Sequence, residues 1–513
     1  MSHSDHLHKL NTVAVHLALL KNGKAILFSG SHETLWDWTK GESSIWDPEH
    51  PDAMEDPVLK RNLFCSGHCH LPDGKLFVAG GQSTFNYPHV ILGTIFGILP
   101  LVLKILGKEA ADHDIHTYDP DEPDSTLRWK QHFPSMSKAR WYPTCVTLPD
   151  GKALIVSGSW SHGGHSLFGG FINTCYEIFD PLTDKLSPPA KFGFNKIQMY
   201  PFLQVLPGNR LFVHSEKTTK FWDITQKEFL ITKFEIATGG TRTYPGMGSC
   251  VLLPLRHDDN TAKILLIGGS TSISPSKNDD ATTIPEMLTV DLTNLSNSTG
   301  WQQKPPHQKR FLCDSIILPD GKILVTNGAE KGTADSNQNP VMKIELFDPD
   351  NDTWTIIGKL QKPRLYHSTA VLLPDGRVLV AGSTGHDFFR ATFDPKHNFE
   401  QEIELVEPPY LKNNPIRPQI INSPLSISYN SPFQISTNNT LNIERVSMIR
   451  LSSTTHNNNM DQRCLFLQVL EKSANTIKLY SSKDGSWPPP GYYMLFVIDT
   501  NGIPSIGKFI QLN

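Results

Sequence analysis

Short apolar runs bounded by polar turns recur along most of the chain, and one phrase carries them. It consists of an apolar strand, a Leu-Pro-Asp-Gly-Lys turn, a second apolar strand and then small residues. The phrase stands as LPDGKLFVAGG from Leu71, LPDGKALIVSGS from Leu148, LPDGKILVTNGA from Leu318 and LPDGRVLVAGS from Leu373. Weaker copies begin at Leu20, Leu206 and Leu253, which makes seven. Proline presets φ and glycine takes the φ > 0 position, so each turn folds two strands into a hairpin. The Val/Ile/Leu runs read as strands buried between neighbouring sheets, and the small residues let strands crowd near a central channel. Copies spaced roughly 50 to 80 residues apart fit the blades of a kelch-type propeller, whose closure leaves few strand edges exposed. An open β-solenoid would share the pattern, but seven copies of this length favour a ring. The expected fold is all-β, with a seven-bladed kelch-type β-propeller over residues 1–406.

After Val406 the phrase stops. Glu407-Pro-Pro-Tyr reads as a linker. Short alternating strands then start near Ser426, Pro432, Arg463, Thr476 and Tyr492. They predict a small immunoglobulin-like β-sandwich over residues 407–513. One segment departs from the repeat: an insertion at about 86–113 that contains the apolar stretch Val90–Gly107, interrupted by Pro100 and Lys104. Its length is marginal for a bilayer span. A helical flap over the propeller face is the preferred reading, with a peripheral membrane contact or a dimer surface left open.

Composition narrows the function class. Proline (38) and glycine (36) are both plentiful, as a turn-rich chain requires. Charged residues are 19% and the formal net charge is -4, which gives no nucleic-acid footprint. Seven scattered cysteines form no disulfide framework. The N-terminus lacks a charged-then-apolar pattern, so no signal peptide is expected.

The recurring phrase also aligns positions between blades. Residues just before each hairpin start near the propeller axis. Cys65 and Tyr142 each lie six residues before their turn, and Tyr366 lies seven before its own, with His367 beside it. A thiol, two phenols and an imidazole therefore converge on one end of the channel. Oxygen and nitrogen donors with a tetragonal preference suit Cu(II). Each residue also has a plainer reading. A cysteine is commonly a buried small hydrophobe, Trp160 core filling, and His456 a solvated turn residue in an Asn-rich loop. A zinc site at Cys65, Cys69, His68 and His70 is disfavoured, because strand alternation sends the two histidines to the face opposite the cysteines.

As a set, these residues resemble the galactose oxidase and glyoxal oxidase family of copper-radical oxidases. The resemblance implies one copper ion and a thioether between Cys65 and Tyr142, whose modified ring holds a radical. It implies Tyr142, Tyr366, His367 and His456 as metal ligands. His456 is carried by Ser453-Thr-Thr-His-Asn-Asn-Asn-Met-Asp-Gln-Arg463, which is similar to the family's tail-domain loop. Ser157-Gly-Ser-Trp160 is similar to the galactose oxidase segment whose indole stacks on the cross-linked ring. The implied catalytic residues are thus Cys65, Tyr142, Trp160 and Tyr366.

The departure from the family pattern concerns substrate. Galactose oxidase has an arginine after a tyrosine that grips the sugar. The matching place here reads Met199-Tyr200-Pro201. Tyr200 and Tyr244, the latter in Arg242-Thr-Tyr-Pro245, are more similar to glyoxal oxidases. They are candidate substrate contacts together with His162. The resemblance therefore implies oxidation by O2 of a small aldehyde hydrate or primary alcohol, giving the acid or aldehyde plus H2O2. The alternatives are a carbohydrate alcohol oxidase and a non-catalytic kelch protein-binding propeller. A monomer is expected. Family members are mostly secreted, and without a signal peptide the sequence leaves the compartment open.

Overall fold

The computed structural model describes residues 7–30, 40–82, 111–160, 172–334, 336–385, 399–438, 440 and 442–513. The apolar insertion at 90–107 and His162 lie outside the described residues. Among those described, no helix is long and apolar enough to cross a membrane.

Each copy of the phrase builds one antiparallel sheet. The first strands of these sheets are His16–Leu19, Gly67–His70, Trp141–Thr147, Phe202–Leu206, Ser249–Leu252, Asp314–Ile317 and Ser368–Leu372. Each pairs with the strand that follows its turn, as in Gly67↔Ala79 and Ser368↔Gly382. A third strand lies beyond, and a fourth completes the sheet. In the sheet of Ser368–Leu372 the outer strand comes from the other end of the chain. His8–Lys9 pairs with Glu402–Val406, which ties the N-terminal segment to the last sheet. First strands lie side by side between the second and third, third and fourth, fifth and sixth, sixth and seventh, and seventh and first sheets. They are buried on both faces, as strands packed between two neighbours must be.

The turns take the predicted form. The glycines at 23, 74, 151, 208, 321 and 376 have φ between 82° and 90°, where other residues are strained. The small residues after the second strand serve close approach. A Cβ on Gly80 would fall 2.1 Å from the carbonyl oxygen of Arg140 in the next sheet.

Two further sheets follow. Ser426–Ile427, Ile443–Arg450, Cys464–Phe466, Gly491–Asp499 and Lys508–Leu512 form one, joined at its edge by Leu255–Arg256. Ile420–Asn422, Pro432–Thr437, Gln468–Lys472 and Thr476–Tyr480 form the other. Ile435, Val446, Met448, Ile477, Leu479, Leu495 and Val497 fill the space between them. This is the sandwich the alternation predicts. Trp487 is buried, so it presents no exposed aromatic platform.

One hairpin leaves the sandwich. Strand Ser453–Thr455 and Asn458–Asn459 fold back on each other and add to the first strand of the first sheet, with His16↔Thr455 and Ala18↔Ser453. All residues from Ser453 to Arg463 are buried. The Asn-rich composition therefore reflects buried polar contacts, not solvation. Asn458 Nδ2 donates to Thr144 Oγ1, Asn457 Nδ2 to Asp314, and Gln462 Nε2 to the Ser315 carbonyl. Asp461 accepts from His70 and Arg450, and Arg463 donates to the carbonyls of Val205 and Trp487. One loop thus hydrogen-bonds to five of the seven sheets.

Candidate metal centre

The turn phrase defines an axial position six residues before its leucine. Read through the sheets, it holds Ala14, Cys65, Tyr142, Tyr200, Met247, Leu312 and His367. Six of these seven have positive φ: 63° at Cys65, Tyr142 and His367, 46° at Tyr200, 41° at Met247 and 56° at Leu312. That conformation is uncommon for side-chain-bearing residues and marks a backbone held by its surroundings. Here the holding is visible. Tyr142 N–H donates to the Cys65 carbonyl (2.8 Å), Tyr200 N–H to the Tyr142 carbonyl (2.9 Å) and Leu312 N–H to the Met247 carbonyl (2.7 Å). The residue structurally equivalent to Cys65 and Tyr142 is His367; Tyr366 stands one step out of register.

Four predicted residues come together around this ring, and the tail loop brings a fifth. Tyr142 Oη and Tyr366 Oη are 2.5 Å apart. Cys65 Sγ lies 3.6 Å from His456 Nε2. The ligand atoms of Cys65, His367 and His456 all lie within 4.8 Å of one another. The His456 ring sits edge-on to Tyr142 at 4.8 Å and to His367 at 4.6 Å. All five are buried.

The two imidazoles share one supporting arrangement. Thr384 Oγ1 donates to the Tyr366 carbonyl (3.3 Å), so it accepts from His367 Nδ1–H (3.0 Å). Thr455 Oγ1 donates to the Val15 carbonyl (2.8 Å), so it accepts from His456 Nδ1–H (2.6 Å). Each ring therefore keeps Nε2 as its basic nitrogen, the tautomer a metal ligand needs. Burial holds both neutral, with His367 lowered to about 3 and His456 well below its ordinary value. Two neutral imidazoles beside two phenols make a nitrogen and oxygen donor set that fits copper.

The surrounding groups refine the expectations. Tyr200 is buried, packs on Tyr142 at 4.7 Å and donates its hydroxyl to the Ser66 carbonyl (2.7 Å). Burial pushes its phenol well above the ordinary value. It forms a wall of the centre and spends its polar end on the backbone. Tyr244 lies 4.9 Å from Tyr142 and is also buried. Trp160 is half-buried, one residue past Ser159, the strand partner of Trp141. Trp141 was not singled out from the sequence, yet its ring stacks on Tyr142 at 4.1 Å and 25°. Its place directly before Tyr142 does not by itself predict the stacking. Arg242 is committed to Glu286 (2.8 Å) and the Gly268 carbonyl (2.9 Å).

Comparisons with known proteins give the family and the fold. Residues 101–410 match the family described as glyoxal oxidase N-terminus. Residues 417–512 match the galactose oxidase-like, early set domain. The chain is 28% identical to "Aldehyde oxidase GLOX" of Vitis pseudoreticulata over 88% of this chain and 82% of that one. It is 24% identical to a galactose oxidase of Gibberella zeae over 96% and 67%. Its fold is similar to a solved fungal alcohol oxidase in complex with copper, with a TM-score of 0.76, 21% identity and coverage of 99% and 98%.

Proposed function

The chain belongs to the glyoxal oxidase family that ends in a galactose oxidase-like early set domain, and we propose that Tyr142, Tyr366, His367 and His456 form its copper site, with Cys65 joined to the Tyr142 ring. The observation that carries the reading is the shared tautomer: two buried imidazoles, each with Nδ1–H given to a threonine, keep Nε2 basic and lie ring to ring against Tyr142 and Tyr366, whose hydroxyl oxygens meet. Copper held there, beside a sulfur-modified Tyr142, would supply two-electron oxidation of a substrate by O2, with H2O2 as the second product.

The residues divide the work. Tyr366 Oη accepts the substrate hydroxyl proton, and Tyr142 Oη takes the hydrogen from the adjoining carbon. Their 2.5 Å separation lets both act on the O–H and C–H of one carbinol. Trp141, stacked on Tyr142, shields the ring from water. A sulfur substituent from Cys65 donates electron density to the Tyr142 ring and eases its oxidation.

The walls favour a small uncharged substrate. Tyr200, Tyr244, Met247, Phe311 and Leu312 line the cluster around the phenols. With Arg242 ion-paired and no arginine beside Tyr200, the cationic grip expected for a sugar is missing from these positions. Aldehyde hydrates and small primary alcohols fit best. An H2O2-release screen on copper-loaded protein should rank glyoxal-sized aldehydes and short alcohols above galactose. Release with galactose alone would transfer the assignment to carbohydrate oxidation, and release with no alcohol or aldehyde would favour a protein-binding propeller.

A second reading rests on the Cys65, His367 and His456 set. In it the thiolate binds copper directly, as in His2Cys electron-transfer sites. Such a site would show intense thiolate-to-copper absorption, and oxidation of substrate would be absent.

A further inference from the structure

Among the axial residues, one amide donates to the side chain of a buried histidine. Tyr142, Tyr200 and Leu312 each donate their amide N–H to an axial carbonyl of a preceding sheet. Cys65 does not follow them. Its N–H donates to His16 Nε2 at 3.0 Å, across the gap into which the tail hairpin inserts.

That bond fixes a chain of protons. A backbone amide can only donate, so His16 Nε2 is the acceptor and the ring proton sits on Nδ1. His16 Nδ1–H donates to His68 Nε2 at 3.1 Å. His68 therefore carries its proton on Nδ1 and donates it to Ser453 Oγ. Ser453 Oγ–H donates to the His68 carbonyl at 3.2 Å. The relay starts at the thiol-bearing residue and ends on the segment that bears His456 three residues later. His16, His68 and Ser453 are all buried, and His16 is stacked on Phe28 at 4.6 Å and 9°, which fixes its plane.

We propose that His16, supported by His68 and Ser453, is a positioning residue for Cys65. It holds the Cys65 amide from one side while the Tyr142 N–H holds the Cys65 carbonyl from the other, so the sulfur is presented to the Tyr142 ring for cross-linking. The inference rests on the thioether reading given above. In the cross-linking reaction the S–H bond and one ring C–H bond break and a C–S bond forms. Two protons and two electrons leave, and O2 accepts them as H2O2 at the copper-loaded site.

The test follows thioether formation in folded, copper-free protein after copper is added in air. Intact mass reads the loss of two hydrogens, and denaturing gels read the change in mobility. The wild-type chain should cross-link fully. His16→Leu removes the acceptor and leaves a buried N–H without its partner, and should slow the reaction about tenfold. His16→Gln can accept from Cys65 and donate to His68, and should stay within about twofold of wild type. Ser453→Ala breaks only the far end and should fall between the two. It carries the test where His16→Leu fails to fold. Cross-linking of His16→Leu and Ser453→Ala at the wild-type rate would overturn the proposal, as would a His16→Gln variant as slow as His16→Leu. A wild-type chain that keeps both hydrogens would instead overturn the thioether reading, and this inference with it.

Discussion

Asp314 shows how the centre depends on single residues beyond its ligands. Its carboxyl is buried at the start of a first strand and accepts from Asn327 Nδ2 (2.7 Å) and Asn457 Nδ2 (3.1 Å), the latter next to His456. Burial outweighs these bonds and raises its pKa to about 7. A raised carboxyl pKa means that the folded state holds a proton that the unfolded state has released. Its stabilising effect is therefore complete below the ordinary carboxylate pKa and is lost as pH rises through about 7. Asp314→Asn keeps an acceptor and removes the charge. The variant should gain stability relative to wild type as pH rises from 5 to 8, read from thermal midpoints across that range. The threonines behind the imidazoles give a second prediction. Thr384→Val and Thr455→Val remove the acceptors that fix the ring tautomers. Each should weaken copper binding by about 10- to 100-fold in a competition titration, with the fold intact. Cys65, Tyr142, Tyr366 and His367 are legible in the chain because they stand six or seven residues before a repeated turn, and His456 is singled out only by the resemblance of its loop. Trp141 and the two threonines were not readable, since their roles come from a strand register and a loop path that no single segment encodes.

Among the elements, the first strands owe their placement to a buried ion pair that recurs from sheet to sheet. Arg140, Arg242, Arg310 and Arg364 lie just ahead of their first strands and pair with Glu177, Glu286, Glu345 and Glu404 on the third strands, at 2.6 to 2.9 Å. Each guanidinium also donates to a carbonyl at the end of the second strand: Ser157, Gly268, Asn327 and Gly382. One side chain thus binds three strands of a sheet and sets the loop that carries the axial residue. Removing one partner of such a pair leaves a buried charge uncompensated. Arg310→Ala, whose axial neighbour Leu312 is not a proposed ligand, should destabilise the protein by about 3–5 kcal/mol in equilibrium unfolding. Lys130→Ala, in an exposed pair with Asp184, should cost less than about 1 kcal/mol. The hairpins were legible in advance because Leu-Pro-Asp-Gly imposes its own geometry. The arginine–glutamate pairs are not legible there, because their spacing to the turn varies and their partners lie two strands away.

At the scale of the whole molecule, the tail loop makes the two halves one device. The propeller sheets supply Cys65, Tyr142, Tyr366 and His367, and the sandwich sends His456 into the channel on a loop anchored by Asp461, Gln462 and Arg463. Beyond the inserted imidazole, which the family resemblance implies, sequence pattern predicts both kinds of sheet. It gave no sign that the three asparagines after His456 are buried, because an Asn run reads as solvated wherever the receiving surface is unknown. The most direct test is a crystal structure of the chain loaded with copper in air, with anomalous scattering recorded at the copper edge. The account predicts one copper peak bonded to Tyr142 Oη, Tyr366 Oη, His367 Nε2 and His456 Nε2, and continuous density from Cys65 Sγ to the ring of Tyr142. Copper bonded to Cys65 Sγ with the Tyr142 ring unmodified, or a peak away from these four atoms, would contradict it.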